Sequence, residues 1–250
     1  AHGEIGKAQP SGDGRFGGDD VYWIESRPQE AGRSVIVRRS ASGAIDNVAP
    51  DDFNARTRVH EYGGGAYTVR EGTVFASQFI DQRLYRIDSE GVTTPITPEP
   101  TIPGGLRFAD LTVRGDWAIA VRETHHEDGS EPTNDLVRLD LNGVSAPVSV
   151  ASGHDFFAVP RLSADGGRLV WITWDHPDMP WDASTLWVAA VTPDGEVGQV
   201  RAVAGGRGES ILQPEWSPDG VLHFALDRNG WWNLYRWTGK KIEPVYLEEA

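Results

Sequence analysis

Carboxylates crowd the irregular stretches of this chain. Glu61, Glu123, Asp155, Asp175 and Glu209 fall in long connecting segments that also carry Arg107, Tyr62, Trp181 and Trp231. Such a set suits recognition of a small polar ligand. Carboxylates in a partly enclosed site attract a cation more strongly than they would in water, so an ammonium group is the natural occupant. Glu61, Tyr62, Arg107, Glu123 and Glu209 are the polar anchors expected from the sequence, and Trp181 and Trp231 the apolar walls. A structural ion pair or a packing role is the competing reading for each. Asp110, Asp155 and Glu215 stand near the starts of strand-like runs, and two carboxyls about 5–10 Å apart serve a glycosidase.

Other chemistries find less support. A serine hydrolase needs its Ser on a sharp strand-to-helix turn within G-x-S-x-G, and the sequence contains no such motif. The chain has no cysteine, which removes a thiol nucleophile, disulfides and thiolate metal sites, and favours a reducing compartment. His125-His126-Glu127-Asp128 is metal-competent in type, but adjacent residues on a loop rarely converge on one ion, so a solvated charged loop is expected. No cofactor is implied. Gly12-Asp13-Gly14-Arg15-Phe16-Gly17 matches G-x-G-x-x-G yet leads into the strand-like Val21-Tyr22-Trp23-Ile24, whereas a dinucleotide site requires a helix N-terminus. It reads as a flexible lead-in.

The charge balance narrows the partners. With 23 basic against 37 acidic residues the formal charge is −14. Phosphate binding needs a basic stripe that this composition does not offer, so nucleic acid is not an expected partner. No apolar run approaches the roughly 18 residues of a membrane span, and the N-terminal residues lack the pattern of a signal peptide. The expected location is the cytoplasm.

A repeat positions these residues. Ile36-Val37-Arg38, Leu84-Tyr85-Arg86, Leu136-Val137-Arg138, Leu186-Trp187-Val188 and Leu234-Tyr235-Arg236 recur at spacings of 48, 52, 50 and 48 residues. Each follows another apolar strand, such as Val74-Phe75-Ala76 or Leu169-Val170-Trp171. A unit of about 50 residues with four short strands is a β-propeller blade, whose sheet must stack on its neighbours to bury its faces. The expected fold is all-β, with five four-stranded blades at about 11–50, 51–100, 101–153, 154–205 and 206–250.

Turn lengths then separate two faces. Connections between first and second strands, and most of those between third and fourth, are short and Gly-rich, as in Ser217-Pro218-Asp219-Gly220 and Pro193-Asp194-Gly195. In an up-and-down blade they share one face of the disc. The opposite face receives the long connections Phe53 to Gly65, Pro98 to Phe108, Arg122 to Asp135, Trp174 to Asp182 and Asp227 to Trp232. It is the expected functional face. Three successive glycines, Gly63 to Gly65, allow either a tight blade-to-blade crossover or a loop shaped to meet a second domain or a substrate.

Several of these segments also carry a resemblance. Asn54 to Gly65, Gly153-His154-Asp155-Phe156-Phe157 with Pro160-Arg161-Leu162-Ser163, Thr173 to Asp182, and Gln213 to Gly220 with Trp231 to Arg236 resemble the propeller of bacterial prolyl-oligopeptidase-family serine peptidases. The acylaminoacyl peptidase and dipeptidyl or other aminopeptidase branches are the most similar. The resemblance implies a propeller, usually of seven blades, that caps an α/β-hydrolase domain carrying the catalytic residues. The chain then represents five blades of a larger propeller, with that hydrolase domain and a small peptide or aminoacyl substrate as partners, and with no catalytic residue of its own. The dipeptidyl branch holds a substrate ammonium with a Glu-Glu pair. No matching pair stands here, since Glu248-Glu249 is at a strand end. A five-bladed carboxylate glycosidase and a non-catalytic partner-binding propeller are the alternatives.

Overall fold

The structure, a computed structural model, describes residues 9–10 and 20–247. The Gly12–Gly17 lead-in and Glu248-Glu249 lie outside the described residues. Twenty strands form five separate four-stranded antiparallel sheets, each ordered as its strands run in the chain. Blade 1 holds β1 (Gln9–Pro10), β2 (Val21–Arg27), β3 (Arg33–Arg39) and β4 (Ile45–Asn47). Blade 2 holds β5 (Tyr67–Arg70), β6 (Thr73–Ser77), β7 (Leu84–Ile87) and β8 (Thr93–Pro95). Blade 3 holds β9 (Leu106–Arg114), β10 (Trp117–Thr124), β11 (Thr133–Asp140) and β12 (Val148–Ala151). Blade 4 holds β13 (Phe156–Leu162), β14 (Arg168–Trp174), β15 (Ala183–Val191) and β16 (Val197–Arg207). Blade 5 holds β17 (Ile211–Trp216), β18 (Leu222–Leu226), β19 (Asn233–Trp237) and β20 (Ile242–Tyr246). The five repeated signatures are the third strands.

The period of two along each middle strand explains how the blades stack. Alternate side chains point to opposite faces of a sheet, and here both faces are covered. In β14, Leu169 and Trp171 enter the core shared with blade 3, whereas Val170, Ile172 and Trp174 enter the core shared with blade 5. Strand β10 divides the same way, with Ala118 and Ala120 toward blade 2 and Ile119 and Val121 toward blade 4. Four clusters result, filling the interfaces between blades 1 and 2, 2 and 3, 3 and 4, and 4 and 5. Among the described residues no fifth cluster joins blade 5 to blade 1, as a closed ring of five would require. The blades form an arc, and the far flank of blade 5 leaves Leu212, Leu234, Val245 and Tyr246 exposed.

The inner strands share a local device. Strands β9, β13 and β17 each break register against their neighbour at a bulge, where Asp110, Val159 and Gln213 take left-handed backbone (φ +54°, +48° and +51°). A bulge re-aims the chain and its side chains at the rim of a sheet. Asp110 uses that freedom to join three blades. Its Oδ1 accepts from Gly65 N at 2.7 Å and its Oδ2 from Val159 N at 3.1 Å, while Asp110 N donates to Gly65 O at 2.8 Å.

Candidate functional site

The crossover from blade 1 to blade 2 does not take the shortest path. Residues 56–65 form a strap across the loop-rich face, and Val59 is buried in the core between blades 3 and 4. His60 and Glu61 both adopt left-handed backbone (φ +55° and +64°), followed by Gly63 at +91°. The glycines that follow let the strap lie directly on β9. A Cβ on Gly64 would stand 3.0 Å from the Ala109 Cβ, and one on Gly65 would collide with Asp110 Oδ1 at 2.4 Å. Gly64 and Gly65 therefore serve a close approach of the strap to β9.

The strap is held by a buried carboxylate. Glu123 of β10, 3% exposed, accepts from the His60 backbone N through Oε2 at 2.7 Å. Its Oε1 lies 3.0 Å from Arg107 Nη1 and 2.7 Å from His125 Nε2. Arg107, on β9, also donates from Nη1 to Arg58 O at 2.9 Å and to Glu61 Oε1 at 2.6 Å. Burying Glu123 without these partners would carry a desolvation cost of several kcal/mol. Glu61 differs from Glu123 in exposure, with its side chain 75% accessible. The Arg107 hydrogen bond holds the Glu61 carboxyl below the usual carboxylate range.

Beside this network lies a cavity of about 320 Å3. Glu61, Glu123, Glu131 and Asp155 bring four carboxylates to its lining, and His60, Asn134, Phe156 and His176 complete most of the wall. Aromatic packing shapes it. The His60 ring sits edge-on to Phe156 and Trp174, with centroids 5.2 and 5.3 Å away, and Phe156 stacks on Trp174. Burial pushes the His60 imidazole below its ordinary pKa, with Glu123 and Asp110 opposing the shift, so the ring is neutral near pH 7. Asn134, 7% exposed, donates through Nδ2 to Asp155 O at 2.8 Å, and its side chain also interacts with the His60 ring, opposing the fall of the His60 pKa. Burial raises the Tyr62 hydroxyl pKa, and the Glu123 charge adds to the shift.

The anchors expected from sequence divide into two groups. Glu61, Tyr62, Arg107 and Glu123 meet at the strap, where Tyr62 lies 5.9 Å from the His60 ring. Glu209 stands apart at the crossover into blade 5, where its two oxygens accept from Arg228 at 2.7 and 3.1 Å. Trp181 and Trp231 are on separate loops, of blades 4 and 5, and are 62% and 50% exposed. His60, Asn134 and Phe156 join the site beyond the anchors expected from sequence. The polar Asn134-Asp135 pair at the start of an otherwise apolar strand was the available signal.

Metal ligation does not suit the network. Glu61, Glu123 and His125 place ligand atoms within 4.8 Å of one another, but the Arg107 guanidinium bonds both carboxylates and brings its own positive charge. The three carboxylates that could serve a glycosidase, Asp110, Glu215 and Asp155, are also engaged. Asp110 is held by two backbone amides, Glu215 faces Arg161 at 3.2 Å, and Asp155 Oδ2 accepts from His176 N at 2.8 Å.

No protein-family model and no curated protein sequence matches the chain. Solved structures do. A puromycin-hydrolyzing peptidase of Mycobacterium tuberculosis is 34% identical with a TM-score of 0.86, over 98% of this chain and 39% of that one. A serine-to-alanine mutant of puromycin hydrolase complexed with PGG is 35% identical with a TM-score of 0.90, over 99% of this chain and 40% of that one. Prolyl oligopeptidase B from Galerina marginata shares the fold at 12% identity, with a TM-score of 0.62. The chain spans about two fifths of the length of these proteins.

Proposed function

We propose that this chain, a propeller domain of the prolyl-oligopeptidase family of peptidases, caps an α/β-hydrolase domain of the same polypeptide and admits short peptides or aminoacyl amides to it. The observation that carries the reading is the correspondence with puromycin-hydrolyzing enzymes along 98–99% of the chain at 34–35% identity. In this arrangement the nucleophile and the oxyanion donors belong to the hydrolase domain. The propeller limits entry to small substrates and works in the cytoplasm.

The acidic cavity beside the strap supports a second element of the proposal, namely that the propeller holds the free amino end of the substrate. Four carboxylates line it, against a neutral His60. Glu123 is committed to His60 N, Arg107 and His125, and Glu209 to Arg228. Asp155 accepts from His176 N, which leaves the exposed Glu131 and the exposed Glu61, bonded to Arg107 through Oε1 alone, and we assign the amine to Glu61. The test uses the full-length enzyme, with Glu61→Gln, Glu123→Gln and Glu209→Gln made separately and free and N-acetylated substrates compared. Glu61→Gln is expected to lower kcat/KM for the free amine alone, by about 10- to 150-fold, the loss of a charged hydrogen bond. Equal loss on both substrates, or none in any variant, would refute recognition of the amine.

A further inference from the structure

Arg107 is served unevenly. Its Nη1 carries two hydrogens but faces three acceptors, Arg58 O at 2.9 Å, Glu61 Oε1 at 2.6 Å and Glu123 Oε1 at 3.0 Å. Nη2 makes no hydrogen bond among the described residues, on a side chain that is 11% exposed. The three acceptors are not equal competitors. Arg58 O is fixed by the strap backbone, and Glu123 is buried and tied to two further groups. Glu61 alone is exposed, and among the described residues only Arg107 hydrogen-bonds its carboxylate.

We propose that Arg107 is a binding site for the carboxylate of a small ligand, such as an N-acylated amino acid, and that Glu61 occupies it in the resting protein as a displaceable internal competitor. An incoming carboxylate takes the open Nη2 together with the Nη1 hydrogen released by Glu61, the two-point geometry that guanidinium groups favour. The exchange releases the Glu61 carboxylate into solvent, where its charge is screened. It also brings one nitrogen from three acceptors to a fork in which both terminal nitrogens are used. Arg107 lies beside the cavity rather than in its wall, reaching it through Glu61 and Glu123, which line it.

The probe for the test has no amino group, so the outcome is independent of amine recognition. N-acetylglycine and N-acetylglycinamide are titrated calorimetrically into the full-length enzyme and into its Glu61→Gln and Arg107→Lys variants. The carboxylate is expected to bind and the amide not. Glu61→Gln is expected to tighten N-acetylglycine by about two- to five-fold, the competition an exposed ion pair can offer. Arg107→Lys keeps the positive charge but loses the fork, and is expected to weaken binding at least about ten-fold, measured at a temperature where its unfolding curve shows it fully folded. The proposal is overturned if acid and amide bind alike, if Glu61→Gln leaves the affinity unchanged or weaker, or if Arg107→Lys binds as the parent does.

Discussion

Asp110 offers the sharpest test of how the blades are tied together. Its carboxylate accepts from Gly65 N of the strap and Val159 N of blade 4, so Asp110→Ala deletes two hydrogen bonds to a charged acceptor at once. Each is worth about 1.5–3 kcal/mol where water cannot substitute. Gly65 is exposed and water can partly satisfy its amide, which brings the pair to about 2–4 kcal/mol. The left-handed backbone at position 110 adds roughly 1 kcal/mol against Ala, since Asp tolerates that region better. The expected loss is about 3–5 kcal/mol, while Asp110→Asn, which keeps an acceptor and tolerates the backbone, should lose about half of it. Gly65→Ala attacks the same contact from the other side, because its Cβ would meet Asp110 Oδ1 at 2.4 Å. The assay is denaturant unfolding of the full-length enzyme followed by tryptophan fluorescence, with hydrogen exchange read at the Gly65 and Val159 amides. An Asp110→Ala protein within about 0.5 kcal/mol of the parent, with both amides as protected as before, would refute the cross-blade role.

Two further outcomes follow from the same structure. The folded state lowers the pKa of His60, so the unfolded chain binds more protons as the pH falls below about 6.5; stability should drop over that interval and the slope should shrink in His60→Phe, which keeps an aromatic ring between Phe156 and Trp174. Denaturant midpoints from pH 7.5 to 5.5 check this, and an identical slope in the variant would exclude His60 as its source. The 250-residue chain by itself should hydrolyse no peptide or aminoacyl substrate, and its exposed Leu212, Leu234, Val245 and Tyr246 should make it bind apolar dyes and self-associate. Turnover that survives in this chain and vanishes on mutating one Asp or Glu would instead point to carboxylate chemistry.

The sequence by itself determined the architecture, because a repeated physical pattern encodes it. Apolar residues at period two in short runs, Gly-rich turns and a recurrence near 50 residues leave few alternatives to stacked four-stranded blades. The same pattern separated a plain face from a loop-rich one, since connection lengths alternate along the chain. It also pointed to Glu61, Tyr62, Arg107 and Glu123, as unusual residues in long connections. What it could not contain was their relation to one another. Glu61 and Arg107 are 46 positions apart, and Glu61 and Glu123 are 62, and only the strap's path over blades 3 and 4 brings them into one network. The same tertiary path decided that Glu123 is buried and occupied while Glu61 is exposed, a distinction that two glutamates in two loops do not carry. Glu209 shows the converse: its type and loop resemble those of Glu61, yet the fold sets Arg228 against both its oxygens. Local pattern is enough to specify strands and turns because their hydrogen bonds repeat. A site depends on single contacts between distant segments, and those exist only once the blades have stacked.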